Sequence, residues 1–88
     1  MEKVKPGKTL MIDGTEYRIG EGSATAINVC VKLLEDRHME PGKVDAGGVT
    51  IDLYTADGQG GESFPPSKIL EALKRAEKAD WNKTPQGL

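Results

Sequence analysis

Ala24-Thr25-Ala26-Ile27-Asn28-Val29-Cys30-Val31-Lys32-Leu33-Leu34-Glu35-Asp36-Arg37-His38 decides the fold, because it can be read in two ways. Ile27, Val29, Val31 and Leu33 alternate with their neighbours as residues of a half-buried strand would. On a helical wheel the same residues sort more sharply. Asn28, Lys32, Thr25, Glu35 and Asp36 share one arc of about 100°, and Ile27, Val31, Leu34, Cys30, Ala26, Leu33 and Val29 fill the rest. Ser23 stands where a helix cap belongs, and a run of 15 residues is long for a strand. We read a helix. As a strand, the segment would instead complete a four-stranded sheet with one C-terminal helix. An apolar arc this wide needs cover on two sides.

Glycine and proline mark off the rest. Upstream, the spacing predicts strands at 8–12 and 16–20. Leu10, Ile12, Tyr17 and Ile19 alternate with polar neighbours around Asp13-Gly14, a dipeptide whose residues tolerate the positive φ of a tight hairpin turn. Downstream, Pro41-Gly42 ends the helix. Val49, Ile51 and Leu53 then alternate with Thr50, Asp52 and Tyr54, which predicts a third strand with one face buried. Asp57-Gly58-Gln59-Gly60-Gly61 reads as a loop. Pro65-Pro66 leads into a helix over Ser67 to Trp81, because proline suits the first helical turn, where an N–H is not needed. Ile69, Leu70, Leu73 and Ala76 form its buried stripe. The expected fold is α+β: a small antiparallel sheet in the order β-β-α-β-α with both helices packed on one face. It makes a single small domain, 1–88, with a flexible N-terminus (1–7) and a C-terminal tail (82–88).

Composition narrows the function. At 88 residues the chain has room for one modest core and no second domain. Only 18 residues are Leu, Ile, Val or Phe, about the fraction below which strongly charged chains stay unfolded. The net charge of −2 permits folding. Twelve basic against 14 acidic residues give no electrostatic footprint for duplex nucleic acid. No apolar run approaches the roughly 20 residues of a membrane helix, so no membrane partner is expected. A single cysteine makes no internal disulfide, and the first residues lack a signal-type apolar core, so a cytoplasmic location is expected.

Most catalytic schemes fail on inventory. The only histidine is His38 and the only cysteine is Cys30. On one helix they stand about 12 Å apart along the axis, too far for a thiol–imidazole pair. One of each makes no zinc set, and the spacing of Asp52, Asp57 and Glu62 matches no calcium loop. We therefore expect no enzyme, no metal and no cofactor.

Two glycine-rich junctions remain. Gly20-Glu21-Gly22-Ser23 precedes the first helix, with Arg18 and Thr25 close by. Gly58-Gln59-Gly60-Gly61-Glu62-Ser63 precedes the second, with Lys68 after it. Glycines before a helix let an anion approach the unpaired N–H groups and the positive end of the helix dipole. Tyr54 falls on the polar face of its strand, exposed to stack on a ring or anchor a partner. The expected function is a non-catalytic binding protein, an adaptor or inhibitor acting by protein contact, of the kind common among accessory and regulatory proteins of bacteria and their phages. The alternative is an oligomer that sequesters an anionic small molecule such as a nucleotide or nucleotide-derived signal. Candidate ligand-binding residues are Arg18, Gly20, Gly22, Ser23, Thr25, Tyr54, Gly58, Gly60, Gly61, Ser63 and Lys68. Open strand edges and the wide apolar arc also predict a homo-oligomer.

Overall fold

A computed structural model describes residues 3–45 and 47–83. The ambiguous stretch is helix α1, Glu21–Asp36. It follows a hairpin of β1, Thr9–Ile12, and β2, Thr15–Arg18. A single 3-10 turn at Pro41–Lys43 leads on to β3, Ile51–Thr55, β4, Gly61–Phe64, and α2, Pro66–Lys83. The fold is α+β, with one antiparallel sheet in the order β1-β2-β3-β4. Of the C-terminal tail expected at 82–88, residues 82 and 83 belong to α2, which runs through Lys83, and residues 84–88 lie outside the described residues.

Local chemistry explains the turns. Asp13 and Gly14 have φ of 51° and 83°, both left-handed, as the tight turn between β1 and β2 requires. That turn sets the register Leu10↔Tyr17 and Ile12↔Thr15. At the other end of α1, His38 has φ 52°. Its N–H donates to the Glu35 carbonyl at 3.3 Å, and Met39 N–H donates to the Leu34 carbonyl at 2.9 Å. This is a Schellman cap, with Met39 and Leu34 both packed against the core as its apolar clasp. A left-handed position costs a residue with a Cβ about 1–2 kcal/mol, and glycine's extra unfolded-state entropy offsets part of the gain. His38→Gly is therefore expected to stabilise the fold by about 0.5–1 kcal/mol. Urea denaturation checks this; an unchanged or lower midpoint would remove the cap from the account.

The core lies on one face of the sheet. Leu10, Ile12, Tyr17, Ile19, Ile51, Leu53 and Phe64 point to that side and meet Ala24, Ile27, Cys30 and Val31 of α1 and Ile69, Leu70, Ala72 and Leu73 of α2. Tyr17 and Phe64 meet edge to face, with centroids 5.1 Å apart. Burial pushes the Cys30 thiol up, so it stays protonated among apolar neighbours.

Three local readings change. First, the sheet has a fourth strand. The stretch 61–64 reads as loop because it is short, starts at glycine and buries only Phe64; pairing with β3 makes it a strand. Second, the apolar arc of α1 is narrower than expected. Val29 is 65% exposed, on the outer side of α1 with the exposed Thr25, Lys32 and Asp36, and the sheet and α2 help bury Ile27, Cys30 and Val31. Hence α1 makes no demand of its own for a second subunit. Third, the N-terminal segment read as loose carries a packed anchor. Val4 is buried. Its N–H donates to Asn28 Oδ1 at 2.7 Å, and Asn28 Nδ2 donates back to the Val4 carbonyl at 3.0 Å. Asn28, polar on the wheel, is spent on this backbone clasp. Among the described residues no helix is long and apolar enough to cross a membrane.

Candidate functional site

Both helices cover the same face of the sheet, so among the described residues the opposite face is bare. Alternation along β3 buries Ile51 and Leu53 and turns Asp52 and Tyr54 outward. In register with Tyr54 stand Arg18 on β2 and Gly61 on β4. Tyr54 is 58% exposed, and Met11 of β1, at 56%, is the other large apolar side chain exposed on the strands. The Tyr54 ring leans over Gly20: a Cβ built at Gly20 would lie 3.0 Å from Tyr54 Cε2. Glycine on both flanks thus leaves the ring as a low platform on the sheet.

A cleft opens on each side of this platform. Gly20, Glu21, Gly22, Ser23, Val49 and Asp52 line the first with Tyr54. Gly58, Gly60, Gly61, Glu62, Ser63 and Asp52 line the second, again with Tyr54. Asp52 is held from both sides. The Ser23 hydroxyl donates to its backbone carbonyl and the Ser63 hydroxyl to its Oδ1. The carboxylates of Glu21 and Asp52 are therefore the charges of the two clefts, and neither lining includes a lysine, arginine or histidine; Glu62 stands opposite Leu53 and turns its carboxylate to Tyr17 on the helix-covered face.

The structure gathers most of the residues singled out from sequence. Gly20, Gly22 and Ser23 meet Tyr54 on one side; Gly58, Gly60, Gly61 and Ser63 meet it on the other. Arg18 is beside Tyr54 in register but lines neither cleft. Thr25 and Lys68 are elsewhere. Thr25 donates its hydroxyl to the Glu21 carbonyl at 3.2 Å, and Lys68 pairs with Asp13 at 2.6 Å in another groove. Sequence reasoning passed over Glu21, Val49, Asp52 and Glu62 as ligand residues. The alternation that turned Tyr54 outward applies equally to Asp52; the register of β4 sets Glu62 opposite Leu53, so it borders the second cleft from the strand but faces the other way.

The second glycine loop corrects the phosphate-cradle reading. It joins β3 to β4 and precedes a strand, not a helix. Its amides are also occupied. Gly58 N–H donates to the Thr55 carbonyl, Gln59 N–H to Asp57 Oδ1 at 2.9 Å and Gly60 N–H to Thr55 Oγ1 at 2.9 Å. The Gln59 N–H, then the Thr55 hydroxyl, hold Asp57 below the usual carboxylate range. A loop built around its own carboxylate has no amides left for an anion. At the first junction the expectation of a Ser23 cap fails: α1 starts at Glu21 with Gly20, which has no side chain, at the N-cap, and Ser23 lies inside the first turn with its hydroxyl on the Asp52 carbonyl; Glu21 also occupies that turn.

Glu62 also reaches Tyr17, whose hydroxyl donates to Glu62 Oε2 at 2.8 Å. This bond, with loss of solvent second, raises the Tyr17 pKa above the ordinary tyrosine value. The stabilising effect of the raised folded value is fully present below the unfolded pKa of about 10 and is lost as pH rises through the higher folded value. In a Tyr54→Phe background, where phenolate absorbance reports Tyr17 alone, Glu62→Ala is expected to lower the titration midpoint. A midpoint unmoved by Glu62→Ala would separate the two side chains.

Comparison of the chain with protein-family models, curated proteins and solved structures finds no match in any of the three.

Proposed function

We propose that the chain is a non-catalytic binding protein, an adaptor or inhibitor that works through protein contact at the bare face of its sheet. One observation carries this reading: Tyr54 stands more than half exposed on a central strand, on a face that neither helix covers. An aromatic side chain fixed on a rigid strand loses little conformational freedom on contact and buries a large area, which makes it an effective anchor for a partner. A reducing cytoplasm suits the chain, whose one cysteine is buried and unpaired. The anion-sequestering alternative gains nothing from the two clefts, where carboxylates would repel the ligand.

The test compares wild type with Tyr54→Ala. Exposed substitutions of this kind change stability by about 0.5 kcal/mol or less, so Tm should stay nearly constant. Quantitative capture from the native host should recover a protein that Tyr54→Ala loses about tenfold or more, as for an interface anchor worth over 1.4 kcal/mol. If every captured protein binds both forms equally, or a nucleotide co-purifies in stoichiometric amount, the reading fails.

A further inference from the structure

Resting on that reading for its location, the geometry points to what covers the face when no other protein does: we propose that the bare sheet closes on a second copy of this chain, Tyr54 against Tyr54 about a two-fold axis.

Two features converge on a second copy. The first is charge complementarity. Register places Arg18, Tyr54 and Gly61 in one row across the outer face and Asp52 with Ser63 in the next. Glu16, two residues before Arg18 on β2, belongs to the row on the other side. Arg18 and Asp52 thus stand on a diagonal, with Tyr54 and Gly20 at the other two corners; Gly20 lines a cleft with both Asp52 and Tyr54. The Arg18 guanidinium has no partner among the described residues, and the Asp52 carboxylate receives the Ser63 hydroxyl on Oδ1 alone. In a two-fold contact every residue pair occurs twice. For two sheets packed face to face the axis lies between them, so in projection it reflects the face across itself. Strands stand about 4.8 Å apart and every second residue about 6.6 Å along, so the axis that exchanges Arg18 with Asp52 runs close to Tyr54 and Gly20. Both ion pairs then form at once. Glu16, a row further out, has its image beyond β4 and meets no like charge.

The second feature is the ring. On this axis Tyr54 meets its own copy. The ring lies low over Gly20, where an added Cβ would be 3.0 Å from Cε2. Glycine to ring, ring to ring and ring to glycine are three contacts of about 3.5 Å each, which together span roughly the 10 Å between packed sheets. Stacked rings that bury their faces this way are favourable beyond the area they cover. Area sets the strength. Four strands of four or five residues make a face of roughly 20 by 15 Å, well short of the roughly 800 Å² per partner of a stable dimer. The pair is therefore weak, with a dissociation constant on the order of 100 micromolar, and a tighter partner displaces one copy.

The experiment is sedimentation of the purified chain from about 10 to about 500 micromolar, which should show a monomer–dimer equilibrium that weakens as salt rises. Over the same dilution the backbone amides of 16–20, 52–54 and 61–63 should shift and those of 66–77 should not. Tyr54→Ala should weaken the dimer about tenfold or more. Arg18→Asp and Asp52→Arg should each do the same, because either change turns both attractive pairs repulsive. An equal mixture of Arg18→Asp and Asp52→Arg should associate within about threefold of wild type, since each chain then meets the opposite charge at both positions. Arg75→Asp, on α2, should change nothing. If Asp52→Arg loses its dispersed amide spectrum, Arg18→Lys takes the place of the mixture and should keep the dimer that Arg18→Asp loses. A chain that stays monomeric throughout, a dimer indifferent to Tyr54 and Arg18, or a mixture no tighter than either variant alone would overturn the proposal. If the chain stays monomeric while Tyr54→Ala still loses its captured protein, only the self-contact is refuted and the protein-contact reading stands. If the dimer forms as described while every captured protein binds wild type and Tyr54→Ala equally, the self-contact stands and the adaptor reading falls.

Discussion

Leu53→Ala is expected to cost about 2–5 kcal/mol, which for a domain of this size lowers Tm by at least about 10 °C. Leu53 is completely buried. It sits in the middle of β3, between β2 and β4, and faces the core that both helices close. Backbone pairing holds the strand to β4 at Leu53 itself and to β2 at Tyr54 and Thr55 beside it, so the sheet cannot readily collapse into the space left by three lost carbons. The cavity term therefore adds to the lost transfer energy. Val29→Ala removes a side chain that is mostly in water and should change stability by no more than about 0.5 kcal/mol. Calorimetry or urea denaturation of the pair decides the matter. A loss below about 1 kcal/mol for Leu53→Ala would mean that the core is not closed around β3.

The second large effect is expected at Gly61. A Cβ there would lie 2.7 Å from the Leu53 carbonyl oxygen. The oxygen belongs to the backbone and the Cβ is fixed by it, so neither can rotate away. Gly61→Ala must spread β3 from β4 at the start of the hairpin, with a cost of about 1–3 kcal/mol typical of overpacking, and Gly61→Val should be worse. Gly20→Ala gives the informative contrast. Its new Cβ would meet the Tyr54 ring at 3.0 Å, and that ring is half exposed and free to tilt. Stability should barely change, while the platform is lifted off the sheet and partner binding weakens. Denaturation and capture assays on Gly20→Ala and Gly61→Ala separate these outcomes. A Gly61→Ala protein as stable as wild type would show that β3 and β4 pair loosely enough to admit a methyl group at Gly61.

The same contrast explains what could be read in advance. Asp13-Gly14 between alternating runs specified the first hairpin through φ alone, and alternation over 49–54 specified which side chains of β3 face water. Both are local properties, set within a few residues. A helix was also legible, read over 24–38, because its wheel separates polar from apolar residues better than its alternation does; its start at Glu21 and its end at Asp36 were not. Its true buried side was less so: Val29 counts as apolar on the wheel whether or not anything covers it.

By itself, then, the sequence determined the α+β class, the one-sided sheet, the exposed Tyr54 and the shortage of catalytic groups. The tertiary structure alone decided that 61–64 is a strand, because a four-residue segment with one buried side chain becomes a strand only when a neighbour offers it hydrogen bonds. It also decided that two glycine junctions 30 or more residues apart lie on either side of one tyrosine. The sign of the site was decided there too. Glycines before a helix suggest an anion when read along the chain. Folding spends the amides of the 58–60 loop on Thr55 and Asp57, sets Glu21 and Asp52 beside the ring and turns Glu62 to Tyr17 on the other face. Electrostatics depends on distance through space, and sequence spacing does not report that distance for residues brought together by strand pairing.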